Sequence, residues 1–125
     1  MKLLDTSVAI DHLRGVQPAT DLLSHIVHND EPLVASEIVR FELLAGARDG
    51  ELDSVELFCS AITWVPVDEN VVRTAGSLAR EHWRAYSGFV DADYLIAATS
   101  LILDADLLTM NVRHFPMLGA LQPAY

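Results

Sequence analysis

The sequence predicts an α/β fold, a three-layer α/β/α sandwich around a short, mainly parallel central sheet. Three observations predict it. Four short apolar runs, Lys2-Leu3-Leu4, Pro32-Leu33-Val34-Ala35, Ile62-Thr63-Trp64-Val65 and Asp106-Leu107-Leu108-Thr109, are separated by longer segments whose apolar residues return every three or four positions. The runs lack the polar alternation of a half-exposed sheet, so both faces are expected to be covered, as helical crossovers between parallel strands would cover them. The chain has 125 residues, 51% of them hydrophobic, with no repeat, low-complexity tract or linker, which predicts one domain over residues 1–125.

The elements follow in order. After the first strand, Thr6 to Arg14 is expected to be helical, with Val8, Ile10 and Leu13 as its apolar positions and Gly15 as its stop. Pro18 can open a second helix with Leu22, Leu23, Ile26 and Val27 on one face, closed by Asn29-Asp30. Ser36 is the candidate N-cap of a helix running to Ala47, with Arg48-Asp49-Gly50 as its terminus. Glu51 to Ser60 continues as helix, with Leu52, Val55, Phe58 and Cys59 on one side.

Glu69 to Tyr86 is expected to be the longest helix, with Val71, Ala75, Leu78, Ala79 and Trp83 inward and Arg73, Arg80 and Arg84 on the other side. A helix from Asp91 to Leu103 follows Ser87-Gly88, and a proline-containing tail with Pro116 and Pro123 ends the chain.

Eight basic and 18 acidic residues give a net charge of −10, which opposes bulk nucleic-acid binding because non-specific affinity comes from Lys and Arg on phosphates. A nucleic-acid enzyme then needs metal ions and a local basic stripe to offset that field, and the same acidity suits a basic protein partner. No apolar run reaches transmembrane length, and Lys2-Leu3-Leu4 reads as a strand instead of a leader. The lone Cys59 has no internal disulfide partner and reads as a small buried hydrophobe, in keeping with a cytoplasmic protein.

Parallel α/β sheets bind ligands beyond the C-terminal ends of their strands, and that rule directs attention to Asp5 and to Thr109–Asn111. Asp5 follows a strand directly, although it could equally cap the next helix. Glu42 lies among apolar helical residues, where a carboxylate needs a partner; the plainer alternative is a rim glutamate paired with a distant arginine or histidine. Asp91 and Asp93 both stand at a helix start. Asp91 is assigned to capping or support and Asp93 to the site.

Thr6, Ser7 and Thr109 can orient a carboxylate or a water, and Asn111 supplies a neutral oxygen or makes an ordinary turn. Three gathered carboxylates repel one another, and a hard divalent cation, magnesium or alternatively manganese, resolves that repulsion. The corresponding chemistry is phosphodiester hydrolysis by a metal-activated water.

Other signals are weaker. Asp104-Ala105-Asp106 lacks the preceding strand and the threonine spacing of a phosphoaspartyl site. No phosphate-binding glycine loop or paired-histidine zinc motif is present, and His25 and His28 read as solvent-facing. Arg80 and Arg84 could guide RNA, or belong to an ordinary solvated helix face, and Arg113 with His114 could touch phosphate or simply lie at the surface. Trp64 and Trp83 read as core or interface anchors.

Taken together, LLDTSVAID at 3–11, SEIVRFELLAG at 36–46, DADYLIAATSL at 91–101 and LLTMNVRHF at 107–115 resemble the PIN-domain ribonucleases, in particular the VapC toxins of toxin–antitoxin pairs. The resemblance covers almost the whole chain. It implies a metal-dependent endoribonuclease with Asp5, Glu42 and Asp93 as its acidic triad and Asn111 at a fourth position that is acidic in many PIN domains. The amide there argues for one firmly held metal. The resemblance also implies a homodimer, a structured RNA substrate, and neutralisation by a small, often basic VapB-like antitoxin, for which Leu22, Leu23, Phe41, Leu44 and Phe58 are the candidate surface. Two other readings stay open: a catalytically weak PIN-like protein-binding domain, and a metal-dependent nuclease acting on DNA.

Overall fold

Four short strands lie side by side in the order β3-β2-β1-β4, all parallel. The computed structural model describes residues 1–82 and 91–125. The chain runs β1 (Lys2–Leu4), α1 (Thr6–Leu13), α2 (Gln17–His28), β2 (Leu33–Ser36), α3 (Glu37–Gly46), α4 (Leu52–Ser60), β3 (Thr63–Val65), α5 (Glu69–His82), α6 (Asp91–Leu103) and β4 (Asp106–Leu108). Two 3-10 turns follow, Val112–His114 and Pro116–Leu118. The expected α/β fold, parallel sheet and element order are therefore present.

The sheet is central because its strands are apolar on both faces. Leu3, Leu4 and Ala35 are fully buried, and Val34, Leu107 and Leu108 nearly so. They pack with Val8 and Ala9 of α1, Leu23 and Ile26 of α2, Val39 and Leu43 of α3, and Ile96 and Ala97 of α6. A smaller cluster of Val71, Ala75, Tyr94 and Ala98 joins α5 to α6. Each buried aliphatic side chain stabilises the fold by about 1.5–3 kcal/mol relative to its exposed state.

Local signals account for the boundaries. The Ser36 hydroxyl accepts a 3.3 Å hydrogen bond from the Ile38 amide and caps α3. Gly15 and Gly50 both adopt positive φ, 77° and 84°, where a side chain would be strained, and so turn the chain after α1 and before α4. At the β3 edge, Arg40 makes two hydrogen bonds to Glu37 (2.7 and 2.9 Å) while its guanidinium lies 4.4 Å from the Trp64 ring centroid. The Trp64 indole donates to the Cys59 carbonyl at 2.8 Å, which anchors α4 against β3. Cys59 is buried, as expected, and burial pushes its thiol up from the ordinary value.

The structure corrects several local expectations. Leu52 is exposed and does not share the inner face of α4 with Val55 and Cys59. Val27 is likewise exposed, because the inward stripe of α2 is Ala19, Leu23 and Ile26, spaced by four and three residues. Leu23 is therefore core and cannot belong to a docking surface. The proline-containing tail, to which sequence reading assigns no element, forms 3-10 turns, buries Phe115 and returns to the end of β4. The continuation of α5 to Tyr86, including Trp83 and Arg84, lies outside the described residues.

Candidate metal-dependent nuclease site

The C-terminal ends of β1 and β4 are adjacent because Leu4 pairs with Leu108 in register. One residue further on, the Asp5 amide donates to the Leu108 carbonyl at 3.0 Å. This places Asp5 beside Thr109 at the rim of the sheet. Asp5 has extended backbone angles and precedes α1, but its side chain makes no capping hydrogen bond. The Asp5 carboxylate therefore does not cap α1.

That carboxylate is 4% exposed. Its Oδ2 accepts hydrogen bonds from Ser7 Oγ at 2.8 Å and Thr109 Oγ1 at 2.6 Å. Ser7 Oγ accepts from the Met110 amide at 3.1 Å, and Thr109 Oγ1 from the Asn111 amide at 2.9 Å. Two hydroxyls thus orient Asp5, and the backbone leaving β4 orients the hydroxyls. Among the described residues no lysine or arginine forms an ion pair with Asp5.

Glu42, half-buried on α3, accepts a 2.8 Å hydrogen bond at Oε1 from Thr6 Oγ1, the residue that follows Asp5. Asp93 lies in the first turn of α6 and is 7% exposed, whereas Asp91, the first residue of that helix, is exposed. The helix therefore separates two carboxylates that sequence spacing distinguishes poorly. Asp93 Oδ2 lies 3.5 Å from His114 Nδ1 in the 3-10 turn after Asn111. A continuous path now joins the candidates: Glu42 to Thr6, Asp5 to Thr109, Thr109 to the Asn111 segment, and His114 to Asp93.

Burial pushes the Tyr94 phenol above its ordinary value, and the negative charges of Asp93 and Asp91 add to that effect.

The donor set fits a hard divalent cation in kind: Asp5 and Asp93 are buried carboxylates and Glu42 a half-buried one, with hydroxyl groups on Asp5 and Glu42. Among the described residues, no three Asp, Glu, His or Cys side chains already stand together as a metal cluster. The Glu42 carboxylate is bonded to Thr6, and that of Asp93 lies against His114.

Of the proposed RNA contacts, Arg80 and Arg113 are exposed, and Arg84 lies outside the described residues. His114 faces Asp93 as well as solvent, with 43% of its side chain exposed. Its place beside Asp93 escaped sequence reading, since 21 positions separate the two residues and no spacing rule connects them.

A cleft adjoins Glu42. Ile10 and Leu13 of α1, Leu43 of α3 and Val55 of α4 form its apolar lining, with Arg14 and Glu51 also on its walls.

Comparison with known proteins identifies the family of the chain. The PIN domain family model matches residues 2–118. Ribonuclease VapC19 of Mycobacterium tuberculosis is 54% identical over 125 residues, covering all of both chains. Ribonuclease VapC10 of the same organism is 38% identical over 125 residues, covering all of this chain and 93% of its own. A toxin–antitoxin complex from Klebsiella pneumoniae contains a chain of the same fold, with a TM-score of 0.83 at 20% identity, covering 100% of this chain and 98% of that one. With the family model spanning nearly the whole sequence and full-length relatives well above 30% identity, this chain belongs to the PIN-domain family, among its VapC ribonucleases.

Proposed function

We propose that this protein is a metal-dependent endoribonuclease toxin, using magnesium or manganese, and that a cognate VapB-like antitoxin neutralises it. The observation that carries the reading is Asp5: a buried carboxylate oriented by two hydroxyls beyond the ends of β1 and β4, with Glu42 bonded to the adjoining Thr6. Asp5, Glu42 and Asp93 are the metal ligands. A bound divalent cation supplies positive charge for the scissile phosphate and lowers the pKa of an attacking water.

The chain's own contribution is orientation. Ser7 and Thr109 fix Asp5, Thr6 holds Glu42 near it, and α6 presents Asp93 in its first turn, where the helix N-terminus favours the ionised form. Asn111 lines the same rim as a neutral neighbour, and Asp91 contributes negative field without a place in the cage. Arg80, Arg113 and the exposed edge of His114 supply cationic or hydrogen-bonding contacts to structured RNA.

The name of the 54% identical relative, a ribonuclease, supports RNA as substrate. The Klebsiella complex supports an antitoxin partner. Phe41 and Leu57 are 64% and 75% exposed on α3 and α4, the cleft at Glu42 is lined by apolar side chains with Glu42 and Glu51, and an amphipathic basic segment suits apolar and acidic surface of this kind. Self-association as a homodimer is part of the same reading, with the exposed apolar side chains Val72, Leu101 and Ile102 available to it. An RNA substrate and a lone buried cysteine support action in the cytoplasm.

Purified, antitoxin-free protein incubated with total RNA tests the reading. Discrete cleavage with manganese or magnesium, abolished by chelator and in Asp5→Asn and Asp93→Asn, is the expected result. Equal traces of cleavage by wild type and both variants would sink it. Growth arrest on expression, relieved by the same substitutions, marks the activity as toxic.

A further inference from the structure

The last residues of the chain contact both elements that hold Asp5. The Ala124 amide donates to the Thr109 carbonyl at 3.0 Å, and the Tyr125 hydroxyl donates to Asp11 Oδ2. Thr109 leads out of β4 and hydrogen-bonds Asp5 through its side chain, while Asp11 belongs to α1, which carries Thr6 and Ser7 in its first turn. The peptide unit between Thr109 and Met110 is consequently held at both polar groups. Ala124 takes its carbonyl, and Ser7 Oγ takes its N–H at 3.1 Å. Ala124 and Tyr125 are partly buried against the main core, so the bracket is packed as well as hydrogen-bonded.

We propose that Tyr125 is a positioning residue for Asp5: its hydroxyl, tied to Asp11, clasps the C-terminal segment across α1 and the β4 exit and so fixes the Thr109 and Ser7 hydroxyls on the Asp5 carboxylate. Burial, and then the Asp11 carboxylate, push the Tyr125 phenol above its ordinary value. The proposal rests on the nuclease reading for its catalytic consequence, while its structural content can be measured without catalysis. Small misplacements of a reacting group have large kinetic costs, which is why a contact distant from the carboxylate can matter.

The test compares Tyr125→Phe, which removes the hydroxyl and keeps the ring, with Asp11→Asn, which keeps an oxygen acceptor for it. In metal-free protein, exchange of the Met110 and Asn111 amides is expected to quicken about tenfold in Tyr125→Phe, with Leu3 and Val34 in the central sheet unchanged. In RNA cleavage, kcat falls about fivefold at unchanged KM, and Asp11→Asn stays within about twofold of wild type. Unaltered exchange at Met110 and Asn111 overturns the proposal. So does equal acceleration of all core amides, which would make the contact one of general stability. Wild-type protein that cleaves no RNA defeats the nuclease reading instead, and the exchange comparison still decides the clasp.

Discussion

Thr109 Oγ1 donates a 2.6 Å hydrogen bond to Asp5 Oδ2 across 104 positions of sequence, and this contact closes the rim between the first and last strands. Both residues are buried, Thr109 completely, so water cannot readily replace either partner.

Replacing Thr109 by valine keeps the shape and removes that donor together with the acceptor used by the Asn111 amide. Stability is expected to fall by about 1–3 kcal/mol, as for other buried groups left without a partner. Chemical denaturation checks this, and RNA cleavage by the same variant is expected to drop about tenfold through misorientation of Asp5.

Glu42→Gln separates scaffold from chemistry. The amide oxygen can still accept from Thr6 Oγ1, which now bonds Glu42 at 2.8 Å, so the unfolding free energy is expected to change by less than about 1 kcal/mol. Activity is expected to fall about 100-fold, because a charge meant for a cation has gone. A stable variant with wild-type kcat would remove Glu42 from the cage.

Lys2 and Asp106 pair at 2.9 Å between β1 and β4. The Lys2 hydrogen bond is the main reason the Asp106 carboxyl sits below its ordinary value, and Asp106 chiefly raises Lys2. On the acid side, the pair's stability is present above the ordinary carboxyl value of 3.8 and is lost as pH falls through the depressed folded value. On the alkaline side it is present below 10.5 and is lost as pH rises through the raised lysine value. Asp106 is 76% exposed in its side chain, and solvent screening keeps the effect to about 0.5 kcal/mol. Denaturation curves of wild type and Asp106→Asn are therefore expected to differ slightly near neutrality and to coincide in strong acid.

The strands were legible because they are short, apolar and separated by helical periodicity, and Ser36 announced its helix through its chemistry. Asp5 and Thr109 were legible because a parallel sheet presents its strand ends at one rim. Position at the helix start favoured Asp93 over Asp91 only weakly, since two residues there differ in burial only after the helix docks, which buries Asp93 and exposes Asp91. Leu23 was misread as surface because an apolar stripe has no sign telling which of its members meets the core. The His114–Asp93 and Tyr125–Asp11 contacts depend on how the segment after β4 folds back, and neither leaves a periodic trace in the sequence.

Manganese titration of metal-free protein, followed by electron paramagnetic resonance, tests most directly whether Asp5, Glu42 and Asp93 form one cation site. Wild type is predicted to bind a single tightly held ion per chain, and Asp5→Asn and Asp93→Asn to lose it while remaining folded. Absence of binding by wild type, or the same isotherm from all three proteins, would contradict the account.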